Sequence, residues 1–244
     1  MLQEIIQKLS AAPTQAKREQ EIGRFLEIGT LPNFIFEPTV ITVTDKTNIL
    51  EYKVCSEYLC LGTDLEYMHI PMSPLTCKEF MLQRDFVLPT PTMSKQIYSA
   101  SKIKPGVISW PDLYKNKTKK YNRDSTMCYV DHSTRLQEII KVKGGKPGEL
   151  IGGHKKDVVL TNMLTNQKYK NNVAIYGWFN TDGSMIQNLN AVDHVVTYVD
   201  YSHGLRMVYN KCKLNGQDAT IKQIWNDTNL CKLLHDDVLK FQSY

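Results

Sequence analysis

Two short stretches of this sequence gather reactive side chains beside apolar runs. GGHKKDVV sets His154 shortly before Asp157, with Lys155 and Lys156 between them. VDHVVTYVDYSHGLRMV holds His194, Asp200, Ser202, His203 and Arg206. A histidine with a carboxylate partner makes a general base, because the carboxylate fixes its tautomer and tunes its pKa. In this role His203 is oriented by Asp200, His154 with Asp157 forms a second half, and His194 is a further base. The same groups have the chemistry of a divalent-metal site, with His154, His194 and His203 as ligands and zinc as the expected ion. Lys155, Lys156 and Arg206 suit an anionic group or a developing oxyanion. Trp178 and Tyr176 offer stacking faces, and His132 lies upstream as another polar contact. The plainer alternative is that each histidine is a satisfied structural residue and that Asp200 and Ser202 form a local turn.

Several familiar chemistries are excluded. Ser202 as a nucleophile lacks a GxSxG elbow. His132-Ser133-Thr134 is a lone HxT element without a second copy. Ser202-His203-Gly204 with Arg206 looks like the SHGC[IV]R signature of L,D-transpeptidases, but Leu205 stands where the nucleophilic cysteine is required. Neither GxGxxG nor GxxxxGK[ST] occurs, so the standard phosphate loops are missing.

The elements that must hold these residues read as follows. Leu2, Ile5, Ile6 and Leu9, then Ile22, Phe25, Leu26 and Ile28, mark two amphipathic helices over residues 1–30. VITVTD, NILEYKV, SEYLCLG and YMHIPM predict an antiparallel meander. Ser73-Pro74 caps one helix, and Thr90 or Thr92 caps another over LPTPTMSKQIYSASK. Residues 104–127 form an irregular basic loop containing KNKTKKYNRD, and a helix follows over DHSTRLQEIIKV. DVVLTNML, VAIYGWF, VVTYVDY and LRMVYNK are strand candidates. In VVTYVDY, period-two alternation puts His194, Val196, Tyr198 and Asp200 on one face. Gly204 supplies backbone freedom at its end. Two short helices close the chain. This irregular mixture predicts one α+β domain over 1–244, with antiparallel sheets, flanking helices, a helical N-terminus and short C-terminal helices.

The 244 residues suffice for one sizeable core. A composition of 42% hydrophobic and 23% charged residues is that of a globular chain, not a disordered one. A net charge of +5 favours an anionic ligand slightly and is too weak to point to nucleic acid, which is not expected as a partner. No apolar run reaches membrane-spanning length. The N-terminal segment reads as helix and not as an export signal, which predicts synthesis into a cytoplasm. Cys55, Cys60, Cys77, Cys128, Cys212 and Cys231 form no CxxC pair and are expected as buried, reduced thiols.

GHKKDVVLT, VAIYGW and the His194-x3-YVDYSHG-x-R run resemble a group of uncharacterised bacterial proteins, many of them exported. LPTPTMSKQIY, the early LPNF stretch and His132 resemble it too, over residues 20 to 210. The resemblance implies that His132, His154, Lys155, Asp157, His194, Asp200, Ser202, His203 and Arg206 belong to one recurring set, and carries no known activity. A phage-encoded relative, working in the host cytoplasm or the virion, is also consistent with it. The expected function is a hydrolase of a polar or anionic substrate such as a cell-wall or glycan polymer. A ligand-sequestering module without turnover and a structural virion or interaction protein are the alternatives.

Overall fold

The computed structural model describes residues 1–188 and 192–244. In chain order the elements are α1 (Leu2–Ala11), α2 (Gln15–Glu27), β1 (Pro38–Thr44), β2 (Ile49–Cys55), β3 (Cys60–Gly62), β4 (Tyr67–His69), α3 (Pro74–Gln83), β5 (Phe86–Val87), α4 (Pro91–Ala100), α5 (Trp110–Leu113) and α6 (Thr126–Val142). There follow β6 (Lys156–Val158), β7 (Ile175–Phe179), β8 (Met185–Gln187), β9 (His203–Gly204), β10 (Val208–Leu214), β11 (Gln217–Thr220) and α7 (Ile221–Asn226). This is an α+β fold with a helical N-terminus and short helical segments near the C-terminus. No helix among the described residues is long and apolar enough to cross a membrane.

Helix starts obey local chemistry. The Ser73 hydroxyl accepts from Leu75 N–H at 3.2 Å with Pro74 just inside α3. Thr90, not Thr92, caps α4, accepting from Met93 N–H at 3.2 Å. Ser125 caps α6, which therefore begins ahead of the predicted DHSTRLQEIIKV. Each cap satisfies an N–H that the helix itself leaves bare.

The predicted four-strand meander is divided. β1 and β2 pair antiparallel, but β3 and β4 form a separate two-stranded sheet. The open side of β2 is taken by β10, from the far end of the chain. Leu50, Tyr52, Val54 and Val208 from these strands are buried, and Trp225 of α7 is fully enclosed in the same core. All six cysteines are free and buried.

A second sheet runs in the order β8-β7-β6-β9 and carries the predicted chemistry. β6 pairs antiparallel with β7 and parallel with β9, setting Lys156 opposite His203 and Asp157 opposite Gly204. Two expectations change here. DVVLTNML is strand only over Lys156–Val158, and its later part, Asn162–Thr165, is a 3-10 turn. VVTYVDY is not a strand. Val195 makes one isolated bridge to Asn172, and Val196-Thr197 turn away. Val173 N–H donates to His194 O at 2.9 Å, Val196 N–H to Asn171 O at 2.8 Å, and Ser73 Oγ to Val196 O at 2.8 Å. The first two are the bonds of that single bridge, and pairing goes no further.

Candidate functional site

The ladder between β6 and β9 brings the two predicted stretches together and sends their side chains into two polar clusters. In the inner cluster Glu57, which sequence reading missed, is the centre. Its Oε1 accepts from Tyr58 N–H at 2.8 Å and lies 3.0 Å from His154 Nε2 and 3.8 Å from Arg206 Nη2. Its Oε2 lies 3.5 Å from Nε2 of His69, also missed. Burial by itself would raise this carboxyl, and the neighbouring His154 and His69 outweigh it, holding Glu57 well below the usual carboxylate range. Burial pushes the His154 imidazole down to about 4, against the pull of Glu57, so it is neutral at pH 7.

Arg206 is locked by its own bonds. It donates to Cys55 O at 2.9 Å and Ile151 O at 2.5 Å and lies over the Tyr58 ring at 4.0 Å. Asp157 is buried against Tyr58 and Ser94. Lys155 Nζ donates to Tyr201 O at 2.6 Å and sits 3.3 Å from His132 Nδ1. Burial depresses both, Lys155 to about 8 and His132 well below its ordinary value. Lys155, Arg206, Asp157 and His132, expected at the substrate or in catalysis, are thus all buried and engaged with protein groups. Their stacked and hydrogen-bonded charges fasten β9 and α6 to the β2–β3 corner.

Glu57, His69 and His154 have the composition of a catalytic zinc set, and their candidate ligand atoms lie within 4.8 Å of one another. Other protein groups surround the same atoms. Ser133 Oγ accepts from His69 N–H at 2.9 Å and from Gln137 Nε2 at 3.1 Å, while Gln137 Nε2 is oriented by Tyr67 O at 2.9 Å. The Ser133 hydroxyl also lies 3.0 Å from His69 Nδ1. Nε2 of the same ring faces Glu57 Oε2. Arg206 beside the same carboxylate opposes a divalent ion. Glu57 forms part of the floor of a cleft of about 250 Å³ lined by Phe34, Tyr67 and Gln137.

The outer cluster is the more accessible. His203 and Lys156 face each other across the ladder, and Asp200 sits in the turn before β9. Asp200 Oδ1 accepts from Ser202 N–H at 2.8 Å and Ser202 Oγ at 2.5 Å. Burial would raise Asp200, but His203, Lys156 and the Ser202 bonds hold it low. His203 is depressed by burial, partly opposed by Asp200. The exposed His194 ring stacks on half-buried Tyr198 at 4.2 Å, and its centroid is 6.4 Å from that of His203. Tyr198 stands 5.8 Å from His203, and its hydroxyl makes a long 3.4 Å bond to Asp200 Oδ2. Lys156 Nζ lies 5.0 Å over the Trp178 ring.

Several expected roles are revised. His154 joins Glu57 and His69, so the expected metal set of His154, His194 and His203 is not assembled. The Ser202 hydroxyl is buried and committed to Asp200. Tyr176 is enclosed with Phe179, and Trp178 is only 6% exposed beneath Lys156, so neither presents an open stacking face. Gly204 is required by space and not by a positive φ, since a Cβ there would meet Tyr58 Cδ1 at 2.6 Å and Lys155 Cβ at 2.7 Å. Comparison of the chain with protein-family models, curated proteins and solved structures finds no match to any of them.

Proposed function

We propose that this protein is a hydrolase of a polar or anionic polymer and that the outer cluster carries the chemistry. The observation that supports the reading is the pair of imidazoles, His203 and His194, whose ring centroids the bend between them brings to 6.4 Å. Lys156 lies across the ladder from one of them and Asp200 beside it. An acid and a base on two sides of a scissile bond, with a cation for the developing negative charge, is the minimum that ester cleavage requires. The resemblance to exported bacterial proteins would group His194, Asp200 and His203, and carries no activity of its own.

The test is a panel of chromogenic carboxyl esters, amides, glycosides and phosphodiesters. His203→Asn and His194→Ala should each lower turnover of the responsive substrate by roughly 100-fold or more, the usual range for removing one acid or base. A responsive parent with both variants unaffected would overturn the assignment. A ligand-sequestering role without turnover is the second reading, favoured by the burial of the His203 ring. Mass spectrometry of the purified protein recovering an intact, unconverted ligand would establish it.

A further inference from the structure

Resting on that reading, we infer that the substrate is a base-free phosphodiester chain whose units carry a hydroxyl next to each phosphate. Four observations lead there. First, hydrogen bonds of about 2.7 Å to neighbouring oxygens of one tetrahedral group bring two imidazoles to roughly the spacing of His203 and His194. A single phosphoryl group has the size to bridge the pair once Tyr198 moves aside.

Second, the charge around the pair suits an anion on a chain. Lys156 flanks His203, and Arg123 acts electrostatically on both Lys156 and Tyr198. Arg123 N-terminally continues into the basic strap holding Lys115, Lys117, Lys119 and Lys120. The strap joins the site directly, because Tyr201 N–H donates to Arg123 O at 2.9 Å. Third, the hydroxyls of Ser202 and Tyr198, the residues beside His203, both bond to Asp200. Tyr198 is also stacked on His194. The attacking oxygen comes from the substrate or from water.

Fourth, the tryptophan and tyrosine rings that line this face are covered. Lys156 covers Trp178, His194 covers Tyr198, and Lys120 and Arg123 lie over Trp110. Nucleic acid is normally held by stacking on such faces. A polyol phosphate needs none.

The reaction balances without a co-reactant. His203 takes the proton from the substrate hydroxyl, whose oxygen forms a new bond to phosphorus. The bond from phosphorus to the departing alkoxide breaks, and His194 donates a proton to that oxygen. The products are a cyclic phosphodiester and an alcohol end. Water then opens the ring with the two imidazoles in exchanged roles. Tyr198, held by its long bond to Asp200, is the side chain that moves to admit the phosphoryl group.

The experiment uses the full chain with three synthetic oligomers: poly(glycerol phosphate), poly(1,3-propanediol phosphate) and RNA. The first should be cut, with a cyclic phosphodiester end seen by phosphorus NMR and mass spectrometry. The second lacks the neighbouring hydroxyl and should resist, and RNA should be cut at least tenfold more slowly. His194→Gln, an exposed change, should lower the rate about 100-fold without shifting the melting temperature, and His203→Asn should abolish the cyclic product. An uncut glycerol polymer overturns the inference. Cleavage of the propanediol polymer at an equal rate overturns attack by the substrate hydroxyl, and equal cleavage of RNA overturns the base-free class. Turnover of a carboxyl ester alone, sensitive to His203, would leave the hydrolase reading standing and remove this one.

Discussion

Burial sets the charge state of three histidines, and this has a readable pH consequence. His132, His154 and His203 are all held below the value of a free imidazole. As pH falls below about 6.5 the unfolded chain takes up protons that the folded chain refuses, so stability drops between about pH 6.5 and 4. The His154 shift to about 4 alone corresponds to something on the order of 3 kcal/mol. The depressed carboxyls of Glu57 and Asp200 contribute stability above about pH 4 that is lost at lower pH, as each folded group titrates. Urea unfolding at several pH values should show this two-stage loss, and a flat profile from pH 7 to 4 would contradict it. Arg206→Met should cost about 3–5 kcal/mol, because Glu57 loses its nearby guanidinium and two buried carbonyls lose their donors. Adding Glu57→Gln to that variant should recover part of the loss. The missed centre had one legible sign: Glu57 is a lone acid within the apolar run Cys55 to Leu61, and a charge in such a run is normally buried and paired. His69 had no comparable sign, since its partners lie on a hairpin and helix distant in sequence.

Among the elements, the short ladder between β6 and β9 positions both clusters. Gly204→Ala tests it directly. The added methyl meets the Tyr58 ring and the Lys155 stem, and overpacking of this kind costs about 1–3 kcal/mol. Because φ at Gly204 is ordinary, pairing this change with Tyr58→Leu should relieve it, and thermal melts of the single and double variants decide the point. The caps of α3 and α4 and the strands β1, β2 and β10 were legible because their signals are local. Cap side chains and apolar alternation act within a few residues. Residues 194–200 were misread as a strand because alternation says which side chains are apolar, not which backbone groups are free. There, pairing stops at the one bridge between Val195 and Asn172, and Ser73 takes the Val196 carbonyl. Ser73→Ala should loosen that segment by about 1 kcal/mol and speed amide exchange at Tyr198, whereas exchange in β10 should be unchanged.

At the level of the whole molecule, the α+β class followed from the irregular order of helical and strand patterns. The seating of β10 on β2 did not, because it depends on contacts between residues more than a hundred positions apart. The basic strap likewise has a distant effect. Replacing Lys119, Lys120 and Arg123 together by alanine should raise KM for an anionic polymer several-fold at low salt, with kcat changed little. Raising ionic strength should reduce the difference, since exposed charges act through a screened field.

The seating of β10 beside β2 also governs how this chain is made. A nascent polypeptide exposes β1 and β2 early, yet the partner for the outer edge of β2 leaves the ribosome about 160 residues later. During that interval the hairpin offers a bare row of amides and carbonyls to any neighbouring strand. Synthesis should therefore yield a long-lived, chaperone-dependent intermediate, and a chain halted before Val208 should aggregate instead of folding.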